Sequence, residues 1–186
     1  MIVYDFDMTI YQGDSTLDFY FYCLRHHPKI VLCLPMQLLG LLKYKFRLIE
    51  KDEFKEQFYS FLEVLEDVDS DVRNFWKENF FKIKKWYLHQ KRKDDVIISA
   101  SPFFVLDEVC RILGVSNLIA SQVDKNSGKL LSTNCYGEQK VLFFKEKYDV
   151  SMIECFYSDS LSDVPMAKIS KKAYLVKKDT IIKWPF

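Results

Sequence analysis

Apolar and polar positions divide the 186-residue chain into three stretches of different period. Met1–Tyr4 is a short, apolar, partly β-branched run that predicts a buried strand. It ends in Asp5 and Asp7, on either side of Phe6. From Thr16 to about residue 90 the pattern is helical, with few strand or turn signals. TLDFYFYCLR predicts a helix after an exit turn at Gly13 and Asp14, capped by Asp14 or Ser15. Residues 51–65, KDEFKEQFYSFLEVL, place Phe54, Phe58, Phe61, Leu62 and Leu65 at helical spacing, a stripe expected to face the core. A further helix, capped by Asp69 or Ser70, runs into KRKDD, read as a solvated turn. From Val96 the period alternates. Val96–Ile98 predicts a strand, Ser99–Pro102 a turn, and Phe103–Leu113 a helix stopped by Gly114. Asn117–Val123 predicts a strand, KNSG a hairpin turn before KLLSTNC, and Gly137–Tyr148 a helix. Ile153–Tyr157 predicts a strand, SDSLSDVPMAKI a turn into a helix, and KAYLV a last strand. DTIIKWPF carries no clear signal. Strands alternating with helices predict an α/β fold, a doubly wound parallel sheet with its site at the carboxyl ends of the strands.

Composition fits this division. Hydrophobic residues are 49% and aromatics 16% of the chain, ample for a packed core. The length suits one core domain, 1–12 with 92–186, and one helical insertion, 13–91. A net charge of +1 is not the footprint of a nucleic-acid binder. The five cysteines are scattered, with no CxxC and no Cys/His cluster, so buried thiols in a reducing compartment are expected. The first strand begins at Met1, so no leader is expected and the cytoplasm is the expected location, with the inner face of a membrane as the alternative.

One piece of the insertion stands apart. Ile30–Leu42, IVLCLPMQLLGLL, has Gln37 as its only strongly polar side chain. Arg25, His26, His27 and Lys29 precede it; Lys43, Lys45 and Arg47 follow. Its 13 residues are too few for a helix to cross about 30 Å of hydrocarbon, which takes roughly 20. Three placements stay open: a buried helix, an interfacial helix with its basic flanks on anionic headgroups, or a dimer face. Pro35 is expected to kink or break the helix.

The acids at the first strand end are poorly explained by stability. Two carboxylates this close repel each other unless a cation lies between them. Mg²⁺ takes such oxygen ligands together with water and phosphate oxygens, and an Asp can itself attack phosphorus. Three later positions extend the pattern. Ser99 follows the strand at Val96–Ile98 and is preferred to Ser101 because it lies directly at the strand end. Lys140 lies in GEQKV. Asp159 and Asp163 lie in YSDSLSD after another strand.

In that order, DFDMT, Ser99, Lys140 and DSLSD resemble the motifs of the haloacid dehalogenase (HAD) superfamily of phosphohydrolases. The resemblance implies a Rossmann-like core with a helical cap inserted after the first strand, a lid that excludes water and selects the leaving group. It implies Asp5 as a nucleophile that becomes phosphorylated, and Asp7 as the acid that protonates the leaving oxygen and then activates water. Backbone groups at Phe6, Asp7 and Ala100, with Ser99 and Lys140, would hold the phosphate. Asp5, the Asp7 carbonyl and Asp159 would hold Mg²⁺, with Thr9 supporting the turn and Asp163 completing the metal's surroundings.

Within the superfamily, the phosphoserine phosphatase branch has this cap placement. Asp14 matches its acidic residue after the first motif, but the cap helix FKEQFYSFLEVL lacks the arginine that grips a substrate carboxylate. The chain is more similar to the bacterial phosphatidylglycerophosphatase C type, through LRHHPKIVLCLPMQLLGLLKYKFR, NLIASQV, GEQKV and YSDSLSDVPM. That type implies a lipid phosphate such as phosphatidylglycerophosphate and peripheral membrane contact through Ile30–Leu42. Two alternatives remain. One is a soluble phosphatase acting on an amino-alcohol or sugar phosphate, separated from the first by binding to anionic liposomes. The other is a non-catalytic phosphate-binding module, disfavoured by the intact Asp5, Asp7, Ser99, Lys140 and Asp159.

Overall fold

The computed structural model describes residues 1–185; Phe186, the last residue of the expected core domain, lies outside them. Six strands, β1 (Ile2–Tyr4), β2 (Val96–Pro102), β3 (Asn117–Ser121), β4 (Cys155–Ser158), β5 (Lys172–Lys177) and β6 (Thr180–Lys183), form one sheet. Their order is β3-β2-β1-β4-β5-β6, parallel except for β6, which runs antiparallel to β5. The predicted α/β fold with a mainly parallel sheet is therefore the observed one. The order reverses direction between β1 and β4, the place where open α/β sheets form a crevice beyond the strand ends. The Asp5 amide donates to the Tyr157 carbonyl at 2.8 Å, which sets the ends of these two strands level.

Three strand expectations need correction. Strand β2 continues through Pro102, with a register shift against β3 after Ser99, where a turn was predicted. The hairpin at KNSG shrinks to a single bridge, Val123 to Leu130. Asp124 closes its turn by accepting from the amides of Asn126 and Ser127, and the chain beyond bonds to the helical insertion instead. Strand β6 had no sequence signal. Its four residues are exposed, so it lacks the alternation that marks a half-buried strand.

The insertion carries α1 (Ser15–His26), α2 (Leu34–Lys45), α3 (Lys51–Tyr59), α4 (Val68–Asn79) and α5 (Lys85–Gln90); α6 (Phe103–Leu113), α7 (Glu138–Lys147) and α8 (Val164–Ile169) follow. Asp14 caps α1 by accepting from the Leu17 amide at 3.0 Å. The cap of α4 is Asp67, which accepts from Ser70 at 3.0 Å; Asp69 and Ser70 lie inside its first turn. A tighter 3₁₀ stretch, Ser60–Val64, follows α3, so residues 51–65 are two pieces. Pro35 does not kink α2. It occupies the first turn, where no amide donor is needed, and the break falls before it, after the 3₁₀ stretch Pro28–Cys33. Gly114 ends α6 with φ 72°, in the left-handed region that glycine enters freely.

One apolar cluster joins Tyr4 and Ile97 of the sheet to Phe19, Phe61, Phe75 and Trp76 of the insertion. Trp76 also donates its ring N–H to the Val105 carbonyl at 2.7 Å, tying α4 to α6. Helix α2 packs differently. Gln37 is buried, donating to the Phe58 carbonyl and accepting from the Tyr20 hydroxyl, both at 2.8 Å. Gly40 permits its close approach to α3: a Cβ there would stand 3.2 Å from the Cβ of Gln57. Val31, Leu32, Met36, Leu38, Leu39, Leu41 and Leu42 are exposed, Leu32 at 81%. The apolar run is therefore not a buried helix. It buries its one amide and leaves most of its leucines exposed, with Arg25, Lys29, Lys45 and Arg47 exposed at its flanks.

Candidate active site

The turn after β1 is built from its own residues and from two distant anchors. Met8 takes a positive φ of 57°. Its amide donates to the Gly13 carbonyl, and its carbonyl accepts from the ammonium of Lys84, which also reaches the Lys178 carbonyl in the β5–β6 turn. Phe6 is fully buried, stacked on Tyr11 at 5.8 Å and edge-on to Trp76 at 5.9 Å. This aromatic anchor turns the flanking carboxylates of Asp5 and Asp7 toward the strand ends.

Asp5 and Asp159, 154 positions apart in the chain, meet there through Thr9. The buried Thr9 hydroxyl lies 3.2 Å from Asp5 Oδ2 and 3.4 Å from Asp159 Oδ1, and it accepts from the Asp159 amide at 2.9 Å. Lys140, in the first turn of α7, donates to Asp5 Oδ1 at 2.7 Å and to Asp163 Oδ2 at 2.8 Å. Ser158 supports Asp163 at 2.7 Å. Burial would strip the Lys140 proton, but the two carboxylates outweigh it and hold the ammonium firmly charged. Asp5 remains above the usual carboxylate range, because burial and the neighbouring Asp163 and Asp7 outweigh its attraction to Lys140.

Asp7 faces the other side of the turn. Its Oδ1 accepts from the Ser15 amide at 2.6 Å, and its Oδ2 accepts from the Ser101 hydroxyl. Burial, with repulsion from Asp14, pushes its carboxyl up. Ser101 touches Asp7 directly, while Ser99 stands 3.5 Å from it and accepts from the Ser101 amide at 3.1 Å. The continuation of β2 through residue 101 brings both hydroxyls to the same end. Ala100 lies between them, its carbonyl taken by Lys55 at 2.7 Å. Asp14 is exposed and serves α1 as its cap.

Asp5, Asp7, Asp159 and Asp163 thus share one site, Asp5 and Asp163 buried and Asp7 and Asp159 half-buried, with Lys140 as the ammonium that bonds to two of them, and one oxygen of Asp163 has no hydrogen-bond partner. Burial also raises the Asp159 carboxyl. Such an excess of buried carboxylate fits a hard cation with oxygen ligands. Among the described residues no group of three or more His, Cys, Asp or Glu side chains forms a cage, so a cation here would need backbone oxygen and water beside carboxylates such as Asp5 and Asp159.

A cavity of about 810 Å³ opens from these strand ends. Its floor holds Asp5, Asp7, Ser99, Lys140 and Asp159; its far walls are Tyr20, Phe21, Leu38, Leu41, Phe54 and Phe58. Phe54 and Phe58, expected in the core with Phe61 and Leu62, are only half-buried and line this wall, whereas Phe61 and Leu62 are buried. The sequence reading passed over Lys51, Lys55 and Tyr136, which also line the cavity. The signal was available: both lysines fall on the helical stripe of Phe54 and Phe58.

The architecture has solved counterparts. A protein of unknown function from Bordetella pertussis Tohama I superposes with a TM-score of 0.76 over 93% of this chain and 87% of its own, at 17% identity. A phosphoserine phosphohydrolase-like protein from Francisella tularensis subsp. tularensis SCHU S4 gives 0.54 over 92% and 84%, at 14% identity. At these identities the likeness is one of fold. A protein named "Probable phosphatase" from Mycobacterium tuberculosis strain H37Rv is 30% identical over 94 residues, 47% of this chain and 33% of its own. The matched stretch thus spans about a third of the curated relative's length. The sequence pattern of the haloacid dehalogenase-like hydrolases extends over residues 2–168, from the first strand through the last helix, and the chain belongs to that family.

Proposed function

We propose that this hydrolase is a Mg²⁺-dependent phosphomonoesterase that works through an aspartyl-phosphate on Asp5. The observation that carries the reading is the difference in surroundings between two neighbouring carboxylates, one buried and one half-buried. Asp5 is held by Lys140 and Thr9, with an oxygen at the cavity floor. Asp7, two residues on, is held by Ser15 and Ser101 and pushed toward its protonated form. Paired acids with different surroundings serve different roles. Asp5 attacks phosphorus as the ester bond to the leaving oxygen breaks, and Asp7 gives its proton to that oxygen. Asp7 then takes a proton from the water that opens the acyl phosphate. Lys140 and Ser99, with the amides of Phe6, Asp7 and Ala100, offset the charge of the phosphoryl oxygens. Asp5, the Asp7 carbonyl and Asp159 would hold Mg²⁺, which supplies charge neutralisation at the phosphoryl group when bound. Thr9 and Asp163 position these groups, and Asp14 borders the leaving-group side.

The insertion 13–91 is assigned the role of lid over the core 1–12 and 92–185, with α2 and α3 facing the strand ends across the cavity. The apolar far wall and the outward leucines of α2 favour a lipid phosphate such as phosphatidylglycerophosphate over a soluble ester. They also favour peripheral contact of α2 with a membrane. No described helix is long and apolar enough to cross one. The test is Mg²⁺-dependent phosphate release from phosphatidylglycerophosphate in mixed micelles beside a panel of soluble phosphomonoesters, with Asp5→Asn as blank. Lipid turnover lost in Asp5→Asn is the expected result. Turnover of soluble esters alone removes the lipid assignment, and no turnover of any ester removes the phosphatase.

A further inference from the structure

Two lysines in the lid wall lack what Lys140 has. Lys51 and Lys55 stand one turn apart on α3, on the face that lines the cavity. Lys55 gives two of its three donors to neutral oxygens, the Ala100 carbonyl and Asn134 Oδ1, each at 2.7 Å. Lys51 lies 3.1 Å above the centre of the Tyr136 ring. Neither forms an ion pair among the described residues. The acids that face them are turned to other tasks: Asp52 accepts from the Asn134 amide at 3.3 Å, Asp14 caps α1, and Asp7 accepts from Ser15 and Ser101.

Two partly desolvated ammonium groups side by side, neither in direct contact with a carboxylate, are an unfavourable arrangement for the empty cavity. An anion entering between them removes the penalty. Their place also specifies which part of a ligand they meet. Lys140 and Ser99 occupy the floor, while Lys55 reaches that floor only through the outward carbonyl of Ala100. Lys51 meets it only through Tyr136, on the loop leading to α7.

We propose that Lys51 and Lys55 form a second anion subsite in the lid wall, selecting phosphomonoesters whose leaving alcohol carries a further anionic group. The inference rests on the phosphomonoesterase reading for what happens at the floor, but the subsite binds with or without turnover. It selects against leaving groups whose only further charge is an ammonium, because those meet two like charges.

The test uses two pairs of probes that differ only in the second anion. Propylphosphonate and propane-1,3-bisphosphonate, which resist hydrolysis, are titrated calorimetrically into the full chain with Mg²⁺. Propyl phosphate and propane-1,3-diol bisphosphate serve for kcat/KM. The bisphosphonate is expected to bind about 10-fold more tightly or better, well beyond the twofold advantage of having two identical ends. Lys51→Met and Lys55→Met should each reduce that ratio about 5-fold or more, and Lys51→Arg should restore it. Equal affinity of the two probes for the wild-type chain overturns the subsite. So does an equal loss for both probes in the Met variants, which would make the lysines mere fasteners of the lid. If neither ester is hydrolysed but the binding preference and its loss are seen, the phosphatase reading fails and the subsite stands. If both esters are hydrolysed with equal kcat/KM and the two phosphonates bind alike, the reverse holds.

Discussion

Two regions of this molecule invert the ordinary placement of residues, in opposite directions. At the strand ends, charged groups are inside: Asp5, Lys140 and Asp163 are at most 7% exposed. On and before α2 apolar groups are outside: Leu32, Leu39 and Leu42 are each more than half exposed, while Gln37 is buried. The buried charges are tolerable because they pair inside the fold, with Lys140 between Asp5 and Asp163. These leucines are left largely open by the fold. The first inversion is therefore resolved within the chain, and the second calls for something beyond it. A contiguous apolar face rimmed by basic residues is the form an interfacial helix takes.

The comparison is broken most directly at the floor. Asp5→Asn keeps the shape of the side chain and removes the nucleophile. Turnover should fall about 10³-fold or more, with the circular dichroism spectrum unchanged. Comparable residual activity would mean that the buried carboxylate is structural, and the two regions would then differ only in packing.

Lys140→Met tests whether the charges are resolved internally. It leaves Asp5 and Asp163 buried without their cation, and losing one partner of a buried pair costs roughly 3–5 kcal/mol. Urea unfolding of the metal-free chain should show that loss. A stability within about 1 kcal/mol of the wild type would show the carboxylates relieved by protonation rather than by the lysine.

At the other region, the double variant Leu32→Asp, Leu39→Asp changes two exposed side chains that do not line the cavity. Each leucine lost from an interface is worth about 1.5 kcal/mol, so recovery with anionic liposomes should drop on the order of 100-fold. The free chain should change little in stability, since surface substitutions usually stay within about 0.5 kcal/mol each. Unaltered flotation would return the leucines to some other partner.

How far each region was legible in the sequence follows the same division. Asp5, Asp7, Thr9, Lys140, Asp159 and Asp163 could be read because each lies at the end of a short apolar run or at a helix start, where local pattern and chemistry coincide. The parallel sheet was legible for the same reason. The orientation of α2 was not. Periodicity says that a helix has faces, but not which face finds a partner, and a lone Gln in an apolar run suggests the solvent side. Tyr20 and the Phe58 carbonyl, distant in sequence, decide otherwise. The contact of Ser101 with Asp7 was not legible because β2 was ended too early. Lys51 and Lys55 were missed because an aromatic stripe was taken to be core throughout. Strand β6 was missed because an exposed edge strand has no buried face to impose a period of two.

Lys55 joins the two regions, since it sits on the lid and bonds to the end of β2. It faces Asp7 and Asp14 from the catalytic turn and Lys51 and Asp52 on its own helix. Burial, with repulsion from Lys51, lowers its ammonium to about 8. The folded chain therefore holds fewer protons than the unfolded chain between about pH 8 and the ordinary lysine value near 10.4, and folding stability contributed by this group rises across that window. Relative to Lys55→Met, the wild type should gain roughly 2 kcal/mol from pH 8 to 10 in urea titrations. Affinity for the bisphosphonate should fall over the same window as the ammonium is lost. Parallel pH profiles for the two proteins would show Lys55 solvated, with no buried charge on the lid.

The smallest effect sharpens the comparison most. Gln37→Leu would make the Ile30–Leu42 run apolar throughout, and by hydropathy alone it should stabilise a buried helix. It also leaves the Tyr20 hydroxyl and the Phe58 carbonyl without their partner, and an unmet buried polar group costs about 1–3 kcal/mol, against about 1 kcal/mol gained from the added apolar surface. A net loss of about 1 kcal/mol in thermal or urea unfolding is expected. With it should come a weaker hold of α2 on α1 and α3, read as faster amide exchange along Leu34–Lys45. Gain in stability with unchanged exchange would mean that α2 is held by its apolar contacts, and that its outward leucines are surplus rather than displayed. Loss of stability means that one amide orients the helix, turning it so that Leu39 and Leu42 stay exposed.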